Sequence, residues 1–76
     1  MTPLERTLLR NLTADWQDTH TLRNRVSVGK DRPSLSDVAA SLRILRRRSM
    51  EPTWVFDRVE RESRGTNGHA WRRVGR

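Results

Sequence analysis

The stretch Ser34–Met50, SLSDVAASLRILRRRSM, sets the strongest limit on what this chain can become. Leu35, Val38, Leu42 and Leu45 recur at i, i+3, i+7 and i+10, which is one stripe of an α-helix. Ser36, Ala40, Arg43 and Arg47 share the other side, so the helix is apolar on one face and small-and-basic on the other. Ser34 with Asp37 three residues on is a capping pattern. An acid in the first turn and Arg46, Arg47 and Arg48 in the last suit the helix dipole. The spacing predicts a helix over about 34–48. A helix of this design can lie in a DNA major groove, because small residues let its backbone approach the bases. The plain alternative is a surface helix whose arginines are merely solvated.

Seventy-six residues make one domain, 1–76. A chain this short buries only about 60% of its unfolded surface, near the lower edge for an unaided core. Cysteine is absent, which removes disulfide staples and thiolate metal sites. No stretch approaches the ~20 apolar residues of a membrane span, and residues 1–30 lack the apolar run of a signal peptide. The expectation is a cytoplasmic, nucleoid-associated protein with no membrane partner.

The formal net charge of +7 is uneven. Residues 1–38 carry a net +1 and residues 39–76 a net +6. Fifteen of the sixteen basic residues are arginine, whose planar fork suits phosphate and guanine. Acidic proteins or anionic membranes would answer to the same charge. A membrane reading lacks the broad apolar helix face it would need.

Along the chain, Thr2, Pro3 and Glu5 form a helix start with a capping box, and Leu4, Leu8, Leu9 and Leu12 continue as an apolar stripe. The first helix is predicted at about 3–14, with Trp16 packing inward after it. Asp18 caps a second helix over about 19–27, marked by Leu22 and Val26. Ser27 to Pro33 reads as a loop that holds Lys30 and Arg32. After Pro52, TWVFDRVER over 53–61 reads as a strand. There Trp54 and Phe56 face one way while Val55 and Val59 face the other. That conflict of parity points to a bulge or a two-sided strand. Asn67-Gly68 is a hairpin signal, and AWRRV over 70–74 is the return strand, with Trp71 inward and Arg72 or Arg73 outward. Leu4, Leu8, Leu22, Val38, Leu42, Leu45 and Trp71 are the predicted core, and the other aromatic residues are also read as core.

Helix, helix, helix, strand, basic turn, strand: that order resembles the winged helix-turn-helix family of DNA-binding domains, over about residues 4–74. The resemblance rests on VAASLRILRRRSM followed by an arginine-bearing hairpin. It implies an α+β fold of three helices with a C-terminal two-stranded β-hairpin wing. It also implies double-stranded DNA as partner, with the third helix in the major groove and the wing on backbone or minor groove. Carried over, Ser36, Asp37, Ala40, Ser41, Arg43 and Arg47 face the groove and Arg64 is the wing contact. Arg48, Lys30, Arg32 and Arg72 complete the candidate DNA-binding set. The small size resembles bacterial and phage regulators, including excisionases. Two other readings use the same residues: a phage-type interaction module that inhibits a host protein, and a structured RNA binder.

Catalysis is not expected. His20 and His69 are far apart and lack clustered acids, so no metal or cofactor is expected. Gly65 and Gly68 lack the strand-to-helix context of a phosphate loop. No small-molecule ligand is expected either. One recognition helix reads few base pairs, so a weak homodimer or cooperative copies on DNA are expected.

Overall fold

The computed structural model describes residues 1–27, 32–65 and 68–75. The order is α1 (Pro3–Asn11), β1 (Gln17–Asp18), α2 (Thr19–Val26), α3 (Leu35–Arg48), β2 (Arg58–Ser63) and β3 (His69–Val74). Three helices pack against an antiparallel sheet whose strand order is β1-β3-β2.

Each helix starts where its capping residues dictate. The Thr2 hydroxyl accepts from the Glu5 amide at 3.1 Å, and the Glu5 carboxylate accepts from the Thr2 amide at 2.9 Å. Asp18 accepts from the Thr21 amide at 2.7 Å and Ser34 from the Asp37 amide at 3.0 Å. These bonds satisfy amides that a helix start otherwise leaves without partners. The first helix ends earlier than the leucine stripe suggests. Leu12 is already extended, and the Thr13 carbonyl accepts from the Arg73 amide at 2.7 Å. The chain after α1 is recruited to the sheet, so the stripe outlasts the helix.

One core joins the layers. Leu8, Leu12, Leu22, Val38, Leu42, Leu45 and Trp71 are its most deeply buried side chains, while Leu4 only packs against its margin. Two aromatic residues depart from the sequence reading. Phe56 is 47% exposed, standing edge-to-face on Trp54 at 5.1 Å. Trp16 is half-buried, with the Arg72 guanidinium 4.5 Å above its ring.

The expected strand over 53–61 is corrected to Arg58–Ser63. Residues 50–57 instead turn back on the end of α3. The Met50, Glu51 and Trp54 amides donate to carbonyls three residues earlier, at 3.2, 3.0 and 3.1 Å. The Trp54 indole donates to the Asp57 carbonyl at 2.8 Å. Trp54 and Val59 are both buried because a turn, not a pleat, separates them. That removes the parity conflict. Strand β1 had no signal in sequence: its two residues pair as Gln17 with Trp71 and Asp18 with Ala70.

In the hairpin, Ser63 pairs with His69, leaving residues 64–68 between the strands. Gly65 and Gly68 both have positive φ, +64° and +87°, where a side chain would be strained. Asn67, half of the Asn-Gly signal, lies outside the described residues.

Candidate nucleic-acid interface

Helix α3 is 14 residues long, about 21 Å at 1.5 Å per residue. Val38, Leu42, Leu45 and Ser49 are buried on its inner side. Ser36, Asp37, Arg43, Ile44 and Arg47 are exposed on its outer side, with Ala40 half-buried among them. The small-and-basic face read from sequence is therefore the solvent face. Among the described residues, Arg43 and Arg47 form no ion pair and no side-chain hydrogen bond.

Other candidates stand differently. Ser41 is half-buried, because it follows Val38 by three residues and precedes Leu45 by four, on the shoulder of the core stripe. Arg48 follows Leu45 by three and is half-buried, its guanidinium 5.7 Å from the centre of the Trp54 ring. Arg32 is exposed just ahead of α3, and Lys30 lies outside the described residues.

Three of the hairpin arginines, Arg64, Arg72 and Arg73, are engaged, whereas Arg58 and Arg61 of β2 form no ion pair among the described residues. Arg72 pairs with Glu60 across the strands at 2.7 Å and caps the Trp16 ring. There it braces the sheet, with about a third of its side chain still exposed. Arg73 reaches the Asp57 carboxylate at 3.4 Å and the Leu9 carbonyl at 3.4 Å. Arg64 stands at the turn, paired with Glu62 at 3.0 Å, both side chains about half exposed. An exposed pair of this kind is weak and exchanges readily for a phosphate.

Three arginines outside the candidate set line one groove. An open groove of about 290 Å³ lies between the end of α3 and β2, lined by Arg46, Arg58 and Arg61 with Trp16 and Met50. Arg58 and Arg61 are hidden in sequence because the pattern there places the strand start five residues too early. The groove's carboxylate, Glu60, is already neutralised by Arg72.

Asp18 at the start of α2 has a perturbed pKa. The Thr21 backbone amide, then the Thr21 side chain, bonds its ionised form and holds its pKa below the ordinary carboxylate value. That is the signature of a helix cap. Among the described residues no three His, Asp or Glu side chains gather as metal ligands would. No described helix is long and apolar enough to cross a membrane. Compared with known proteins, the chain matches no family model, no curated protein and no solved structure.

Proposed function

We propose that this chain is a small, sequence-specific binder of double-stranded DNA that acts as a transcriptional regulator. Residues 34–48 would lie in the major groove and the turn near 62–69 on backbone or minor groove. The observation that carries this reading is the division of the arginines. Arg64, Arg72 and Arg73 meet Glu62, Glu60 and Asp57, whereas Arg43 and Arg47 of α3, like Arg58 and Arg61 of β2, are exposed with no ion pair among the described residues. Unpaired guanidinium groups on an exposed helix face are what phosphate and guanine recognition need.

Three helices with an antiparallel sheet are compatible with the winged helix-turn-helix resemblance. The groove beside β2 adds Arg46, Arg58 and Arg61 as candidates for backbone phosphate. A chain of this charge would associate with the nucleoid, and several copies on adjacent sites would make up for the few base pairs that one helix reads. Recombination, as in excisionases, would use the same contacts. A second reading, an interaction module for a host protein, draws support from exposed Met50, Val55 and Phe56 around the turn after α3.

Selection of bound duplexes from a random pool, followed by titration against salt and against RNA competitor, tests the DNA reading. The expected result is one enriched sequence whose log affinity falls linearly with log salt, by about 0.9 per phosphate contacted. No enrichment, with no duplex binding at low salt, would leave the interaction module as the better reading.

A further inference from the structure

One side chain on the outer face of α3 answers neither to charge nor to the core. Ile44 is 45% exposed in the middle of the helix. The buried stripe passes on the other side, and at 3.6 residues per turn Ile44 shares its surface with Ala40, Arg43 and Arg47. Single apolar residues are ordinary on protein surfaces. Ile44 is not single: Ala40 lies one turn before it, so the two make a short apolar ridge with arginines beside it. Helix formation does not ask for isoleucine here either, since its β-branched side chain is a poorer helix former than leucine, arginine or lysine.

In the major groove thymine presents a C5-methyl group, and apolar side chains recognise it. We infer that Ile44, beside Ala40, is a specificity-determining residue that reads a C5-methyl group on a pyrimidine. This rests on the DNA reading above. Arg47 lies three residues further, about 4.5 Å along the helix axis. Base pairs are spaced by about 3.4 Å. A methyl group met by Ile44 and a guanine held by Arg47 would therefore lie near each other in the groove. Such a contact recognises a group and not a base. The same methyl on 5-methylcytosine occupies the same edge of the groove, so binding responds to cytosine methylation at that position.

The test uses the full chain and a duplex selected from a random pool. Each thymine is replaced singly by deoxyuridine, which removes the methyl and leaves every hydrogen-bonding group. One position per bound copy is expected to weaken binding by about fourfold, equivalent to the ~0.8 kcal/mol of one buried methylene-sized group. At that position 5-methyldeoxycytidine is expected to bind better than deoxycytidine by a similar factor. In Ile44→Ala, its fold checked by thermal melting, both ratios are expected to fall to about one. Indifference of the wild-type protein to every deoxyuridine replacement would overturn the inference. So would an Ile44→Ala protein that keeps the wild-type ratios. Failure of the DNA reading looks different: no duplex would be enriched at all, and both conclusions would fall together.

Discussion

Strand β3 and the outer face of the third helix use the same residue for opposite ends. In the hairpin, Arg72 bridges Glu60 and Trp16, and Arg73 reaches Asp57 and the end of α1. In α3, Arg43 and Arg47 lean on nothing charged among the described residues. The acids explain the difference. Asp57, Glu60 and Glu62 all precede or lie in β2, where the antiparallel register brings them beside β3 or the turn. The outer face of α3 has one acid, Asp37, in its first turn, where it serves the helix dipole. Net charge alone is thus a poor guide to a binding face; what matters is where the counter-charges fall.

The joint between the two regions gives the largest expected effect. Ser49, 2% exposed, accepts from the Val59 amide at 3.1 Å and donates to the Arg46 carbonyl at 2.8 Å. Ser49→Ala leaves a buried amide without a partner and is expected to cost about 1–3 kcal/mol of stability by denaturant titration. If the domain melts unchanged, α3 and β2 are not coupled through that hydroxyl.

Arg72→Ala comes next. Loss of a half-exposed ion pair and of a cation–π contact is expected to cost about 1 kcal/mol. Binding of a selected duplex should fall by no more than the removal of one distant charge explains. A large loss of sequence preference would place Arg72 at the DNA interface.

Acid separates the helix starts. The Asp18 cap titrates, whereas the Ser34 cap of α3 does not. Because the folded pKa of Asp18 is depressed, its contribution is full above the ordinary value of 3.8 and is lost as pH falls through the lower folded value. Asp18→Asn, which caps without titrating, should flatten part of the loss of thermal stability below about pH 4. An unchanged acid profile would show that other carboxylates set it.

Arg64→Ala carries the smallest effect. Removing one phosphate contact at the turn is expected to flatten the log–log salt slope by about 1 and to leave sequence preference intact. The same slope and affinity as wild type would rule that contact out.

Much of this comparison is legible in the sequence. Helix starts depend on residues within one turn, so Thr2, Asp18 and Ser34 announce themselves, and the stripe of α3 separates its inner from its outer face. What fails to show depends on distant partners. Two-residue β1 exists because Trp71, more than fifty residues later, pairs with Gln17. Strand β2 is legible only in part: the pattern over 53–61 covers Arg58–Arg61, but TWVF before it folds as a turn around the Trp54 indole bond. Arg72 looks free in sequence for the same reason: Glu60 is twelve residues away and adjacent only once the register is set.

The most direct test compares two double variants that remove the same charge. Arg43→Ala/Arg47→Ala and Arg72→Ala/Arg73→Ala each delete two arginines from a chain of net charge +7. Affinities for a selected duplex and a scrambled one, measured side by side at fixed salt, separate position from charge. The helix pair is expected to lose most of its preference for the selected sequence, about 1–3 kcal/mol for each arginine–guanine pairing removed, with its melting temperature preserved. The hairpin pair is expected to melt lower and keep that preference. Equal loss of preference in both variants would contradict the division of labour between helix and hairpin.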